Sequence, residues 1–183
     1  MRQGGSGQRF TPFGIMVLVL LGAIGFALWL AYLPWRWERA KEELRKRYPA
    51  VSRIDADGLK EWLAKTSVPK PVLIDVRPKP EYDYSHLPDA KRMDRDDTPV
   101  LLGIPEDTKE SVVLYDAVGA DACPVAESLV KRGYARVVVL EGGIFEWANR
   151  GEPLVGPNGQ TGRVRAGNPQ IAGLLRYRAR ASQ

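Results

Sequence analysis

Between Phe13 and Leu33 the chain runs through 21 residues, FGIMVLVLLGAIGFALWLAYL, without one charged side chain. At about 1.5 Å of rise per residue, a helix of that length reaches roughly 30 Å, the thickness of the hydrocarbon layer of a bilayer. The chain therefore has two solvents to satisfy, lipid for residues 13–33 and water for the rest. Thr11 suits a helix cap, Pro12 a first turn and Pro34 a stop or a kink. Trp29, Tyr32, Trp35 and Trp37 gather at one end, where amphipathic rings favour the headgroup layer. A cleaved export signal has a shorter apolar core followed by a small-residue cleavage site, and this run has neither. Ala23, Ala27 and Ala31 recur every fourth residue, a spacing that either admits a second helix or simply places small residues against lipid.

Charge is segregated around this run. The formal net charge is +5, yet residues 49–155 carry 14 basic and 19 acidic side chains. Arg2 and Arg9 precede the run, Arg36, Arg39, Lys41, Arg45, Lys46 and Arg47 follow it, and five arginines with no acid lie in 156–183. A nucleic-acid-binding domain carries its basic patch on the fold itself, so nucleic acid is not an expected partner; basic flanks beside an apolar helix suit anionic lipid. The excess of basic residues after the run predicts a cytoplasmic C-terminal domain by the positive-inside rule. The expectation is a single-pass protein of a bacterial inner membrane, with membrane lipid and a protein at the membrane as partners. Cys123 is the only cysteine and His86 the only histidine, which leaves no intrachain disulfide and no thiolate or imidazole metal cluster. No metal and no cofactor are expected.

The segment from Pro34 to Pro49 is charged and helix-favouring. Beyond it, short apolar runs alternate with helical stretches. Ile54 lies in a brief extended stretch, Asp55 or Asp57 can cap a helix through Ala64, and VLIDV (72–76) has strand length. A short strand near Lys91–Met93 and a short helix or turn around 97–103 follow. SVVLY (111–115), a helix from about Pro124 to Arg132 stopped by Gly133, RVVVL (136–140) and a final helix after Gly142-Gly143 complete the series. Continuously apolar strands alternating with helices predict an α/β fold whose parallel sheet is covered by helices on both faces.

Two separated motifs carry a family resemblance. LIDVRPKPEYDYSHLPDA (73–90) places Asp75, Arg77, Glu81, Tyr82, His86, Pro88 and Ala90 in the order of a strand-and-turn signature, and LEGGIFEW (140–147) matches a closing strand, double glycine and tryptophan helix. Together they resemble the rhodanese family across residues 50–155. The resemblance implies a sulfurtransferase fold and a loop after SVVLY that begins with a nucleophilic cysteine, in the pattern Cys-x-x-Gly-x-Arg. Here the loop reads Asp116, Ala117, Val118, Gly119, Ala120, Asp121. Asp116 stands at the cysteine position, and Asp121 where a positive side chain often holds an anionic substrate. A carboxylate cannot take up and release sulfur as a thiolate does, but it can accept the N–H groups that such a loop aims at an anion. The expected site is therefore self-filled, with no catalytic residue.

Cys123 is the alternative nucleophile. A thiol at a helix start can be activated, although a small side chain held for packing is the plainer reading. The resemblance places His86 after the strand turn, where an imidazole more often fixes the loop than transfers protons; Asp75 and Arg77 are expected to form a local charge pair or a turn fastening. Residues 156–168 read as a linker, followed by a short helix in which Ile171, Leu174 and Leu175 share a face edged by Arg176, Arg178 and Arg180. That basic C-terminal tail, 156–183, is either unstructured or a second membrane or partner contact. The organisation expected is a tail (1–12), a span (13–33), a basic juxtamembrane helix (34–49), the α/β domain (50–155) and this last tail. Three functions fit: a tethered, catalytically inactive module for protein binding or scaffolding, a membrane-bound sulfurtransferase using Cys123, and a structural subunit of a larger membrane complex.

Overall fold

The computed structural model describes residues 12–104, 109–176 and 179–181. It separates into two compact units, Met1–Ala40 and Lys41–Gln183. The expected tail 1–12 and its Thr11 cap lie, Pro12 apart, outside the described residues.

Helix α1 runs from Pro12 to Arg47 over 36 residues. Pro34 does not end it, so the expected span and juxtamembrane helix form one element. Phe13, Val19 and Leu28 are 70%, 67% and 67% exposed. Among the described residues no helix is long and apolar enough to cross a membrane. The side chains of Ile15, Trp29, Leu30, Ala31 and Leu33, all within the expected span, lie outside the described ones. Arg45, Lys46 and Arg47 occupy the last turn of α1, where positive charge complements the helix dipole.

The unit Lys41–Gln183 is built on five parallel strands in the order β1-β5-β4-β2-β3. They are β1 (Ser52–Ile54), β2 (Val72–Asp75), β3 (Lys91–Arg92), β4 (Val112–Tyr115) and β5 (Val137–Leu140). The helices between them are α2 (Ala56–Ala64), α3 (Lys79–Tyr84), α4 (Ala122–Lys131) and α5 (Gly143–Asn149). Asp55 caps α2 by accepting from the Gly58 N–H at 2.8 Å. The helix placed at about Pro124 by the sequence begins two residues earlier, at Ala122.

Strand alternation sorts the core into two layers. Val113 and Tyr115 of β4 join Leu59, Ile144, Phe145 and Trp147 on one face. Val112 and Leu114 join Ala126 and Leu129 of α4 on the other. All four β4 residues are buried, and the one polar atom among their side chains, the Tyr115 hydroxyl, accepts from the Leu87 N–H at 3.1 Å.

The C-terminal segment departs from the expectation of a linker and a loose or membrane-contacting tail. Strands β6 (Leu154–Gly156) and β7 (Gly159–Thr161) form an antiparallel pair, and α6 spans Pro169–Ala172. Val164, Leu175 and Ala179 are 0%, 2% and 3% exposed within the first core layer. Asn149 fastens the segment, donating to the Leu174 carbonyl at 2.9 Å and accepting from the Arg176 N–H at 2.7 Å. The fold thus continues past residue 155. Val164, Leu175 and Ala179 fill the core, with Ala166, Ile171 and Leu174 packed against it, and α6 has only four residues.

Candidate functional site

Strand β4 delivers Asp116 to the carboxyl end of the sheet, and the following loop climbs into α4. Asp116 is 2% exposed. Its Oδ1 accepts from the Val118 N–H at 2.8 Å and from the Gly119 N–H; its Oδ2 accepts from the Asp121 N–H and from the Ala122 N–H at 3.1 Å. Four donors thus converge on one carboxylate at the start of a helix, where unpaired N–H groups and the dipole favour a negative group. Burial pushes the Asp116 carboxyl up from its ordinary range, hydrogen bonds from Gly119, Asp121 and Val118 pull it down, and the neighbouring Asp121 carboxylate adds to the rise. Gly119 turns the loop at φ +92°, a conformation costly for a residue with a Cβ.

The loop is held from behind by α5. The Ile144 N–H donates to the Asp116 carbonyl at 2.9 Å and the Phe145 N–H to the Ala117 carbonyl at 3.0 Å. Gly143 makes this approach possible: it sits at φ +56°, and a Cβ there would lie 2.4 Å from the Asp116 carbonyl oxygen. The LEGGIFEW motif therefore positions the loop that the SVVLY strand begins. Ala117 and Val118 pack against the core layer beneath them, and Ala120 is partly buried.

Asp121 points outward and pairs with Arg95 Nη2 at 2.7 Å, each side chain about half exposed. Its negative charge at the mouth of the loop is thus partly offset by a partner that the sequence did not indicate. Arg95 sits within a DRDD run that carries no local sign of this contact.

Cys123 is the second residue of α4 and is 1% exposed, more buried than a half-covered helix start. Its Sγ lies 4.0 Å from Arg53 Nη2. Burial pushes the thiol up, outweighing the pull of the Arg53 guanidinium. An inaccessible thiol with a raised pKa is a poor nucleophile.

The other singled-out residues fasten the turn between β2 and β3. Arg77 donates to the Asp75 carboxylate from Nε at 3.0 Å and Nη2 at 2.6 Å, and to the Ser85 carbonyl at 2.6 Å. Glu81 Oε2 lies 4.0 Å from Arg77 Nη1. The His86 ring stacks on Tyr82 with centroids 4.0 Å apart, and its Nδ1 lies 2.9 Å from the Tyr82 carbonyl oxygen. Its backbone exchanges both hydrogen bonds with Val155 at 2.9 Å. Among the described residues no group of His, Cys, Asp and Glu is arranged to hold a metal ion.

Comparison with known proteins agrees with this architecture. A rhodanese-like domain profile matches residues 36–150. A protein named sulfurtransferase from Allochromatium vinosum is 36% identical over 110 residues, covering 60% of this chain and 99% of the relative. A probable adenylyltransferase/sulfurtransferase, MoeZ, from Mycobacterium tuberculosis is 31% identical over 105 residues, 56% of this chain but 26% of that protein. Among solved structures, the Alr3790 protein of Anabaena sp. shares 25% identity at a TM-score of 0.50, covering 56% of this chain and 80% of that one. The BH2092 protein of Bacillus halodurans, at 20% identity, shares the fold with a TM-score of 0.54 over 75% of this chain and 97% of its own. With both motifs, the parallel sheet and the loop at the end of β4 in place, the chain belongs to the rhodanese-like domain family.

Proposed function

We propose that this chain is a membrane-tethered rhodanese-like module that does not carry sulfur and acts by binding a protein partner. The observation that carries the reading is the Asp116 carboxylate seated on four backbone donors. Those donors are the groups that would otherwise receive an incoming oxyanion. A carboxylate in their midst satisfies them permanently and offers no sulfur-accepting atom. What remains for function is the surface around the loop, including the Arg95–Asp121 pair. Support for the tether comes from the uncharged run 13–33 and from the large exposed apolar side chains of α1, an apolar surface that a water-facing monomer rarely presents. The basic residues after that run favour a cytoplasmic domain.

A sulfurtransferase reading through Cys123 draws on the name of the Allochromatium vinosum relative. Burial of the thiol argues against it. Incubation with thiosulfate, followed by intact-mass analysis and a cyanide-dependent thiocyanate assay, separates the two. No added sulfur and no thiocyanate are expected. A persulfide on Cys123, with turnover abolished by Cys123→Ser, would replace the binding reading with the enzyme. For the tether, membranes washed with high salt and carbonate should retain the protein, and detergent should release it; release by salt alone overturns that part.

A further inference from the structure

The last two turns of α1 lie across the outer side of the site loop. Lys41 and Leu44 share with Arg53, Gly119, Cys123 and Glu141 the lining of a space of about 10 Å³, room for about one water. Cys123, 1% exposed, lies beside this space. Arg45, on the same stretch of helix, makes a two-pronged bond to Glu141 of that lining, Nε to Oε1 at 2.8 Å and Nη2 to Oε2 at 2.7 Å. Arg53 fastens the end of the helix from below. Its Nη2 donates to the carbonyls of Leu44 and Tyr48, each at 2.9 Å, and its Nη1 to that of Val51 at 2.8 Å. The Leu44 and Tyr48 carbonyls also accept the Tyr48 and Val51 N–H groups, at 3.0 and 3.2 Å, so Arg53 adds a second donor to each at the end of the helix.

The fastenings differ in kind. The Arg53 contacts are part-buried, whereas the Arg45 side chain is 44% exposed and that of Glu141 14%. An ion pair so placed is screened by salt and is weaker than core packing. Segments held by few apolar contacts and exposed polar bonds open locally at lower free energy than the fold as a whole. Leu44 is the one apolar side chain that this part of α1 sets into the space beside Cys123.

We propose that residues Lys41–Arg47 form a releasable strap, latched by Arg45 and Glu141, that shuts the outer face of the loop and keeps Cys123 out of solvent. Release of the strap opens a thiol that the closed fold withholds. The inference stands on its own, whether or not the Asp116 loop transfers sulfur.

The test is the rate at which N-ethylmaleimide labels Cys123 in the detergent-solubilised full chain, read by intact mass, alongside the melting temperature from circular dichroism. Arg45→Glu and Glu141→Arg should each accelerate labelling about tenfold or more at a melting temperature close to that of the unaltered protein. The double exchange, Arg45→Glu with Glu141→Arg, restores opposite charges and should return the rate toward the original. Added salt should accelerate labelling of the unaltered chain and matter less in the single variants. Three results overturn the strap: single variants that label at the original rate, acceleration that appears only in proportion to lost thermal stability, and a double exchange as fast as the singles.

Discussion

Replacing Asp116 with alanine removes the acceptor from four backbone donors at once. Gly119 and Ala122 are buried, whereas Val118 and Asp121 are partly exposed, so water can serve the second pair and not the first. A buried donor left without a partner costs about 1–3 kcal/mol, giving roughly 2–6 kcal/mol for the two. Part of that is offset because the variant no longer confines a charge whose burial is unfavourable, the cause of the upward shift at Asp116. A net loss of about 2–4 kcal/mol follows, which for a chain of this size lowers the melting temperature by roughly 5–15 °C. The second half of the expectation concerns anions. With the carboxylate gone, sulfate or thiosulfate can occupy the emptied donors, and at ten times its dissociation constant would restore about 1.4 kcal/mol. Melting curves of the unaltered and Asp116→Ala proteins, with and without sulfate at constant ionic strength, measure both effects. An alanine variant that melts with the unaltered protein and ignores sulfate would refute the claim that this carboxylate fills an anion cradle.

Four other outcomes follow from the same geometry. Gly143→Ala drives a Cβ into the Asp116 and Ala117 backbone at positive φ and should cost about 3–6 kcal/mol through overlap and displaced hydrogen bonds, measured by urea unfolding. Ending the chain at residue 155 removes the buried Val164 and Leu175 and should cost roughly 3–6 kcal/mol, so residues 49–155 alone would unfold at much lower urea than residues 41–183. Asp116→Cys alone should recover little thiocyanate formation, while adding Asp121→Ser frees Arg95 to meet the anion and should raise it by about tenfold or more; equal rates would clear Asp121 of any obstruction. Because burial pushes the Cys123 thiol up, its labelling rate should still climb as pH passes the ordinary thiol value of 9.0; a plateau below that pH would mark an activated thiol.

The parts of the fold legible in the sequence are those encoded by local pattern. Val112–Tyr115 is buried on both faces and carries no charged side chain, Asp55 precedes its helix in capping position, and Gly142-Gly143 announces a backbone that must pass close to another. The Asp116 cradle was also within reach, because the loop's donors follow from its place between a strand and a helix. Contacts made by distant residues were not legible. Arg45 and Glu141 are separated by 96 positions, and no periodicity links them. Val164 and Ala179 are scattered among glycines and arginines and leave no helical or strand period, whereas Leu175 reads on a helical face with Ile171 and Leu174 whose burial in this core the pattern did not disclose. Pro34 reads as a stop or a kink, and the pattern does not say which; α1 continues through it.

The position of β1 bears on the order in which the molecule assembles. It pairs only with β5, the last strand of the sheet to be reached along the chain. Strands β2, β4 and β5 can associate around α4 before β1 has anything to join. Closing so long a loop is entropically slow, so β1 is expected to be absent from the rate-limiting nucleus and to dock afterwards. The stretch of α1 next to it, anchored through Arg53 of β1, would then be the last piece in place and the first to leave. On that ordering, weakening β1 hastens unfolding and leaves the folding rate nearly unchanged.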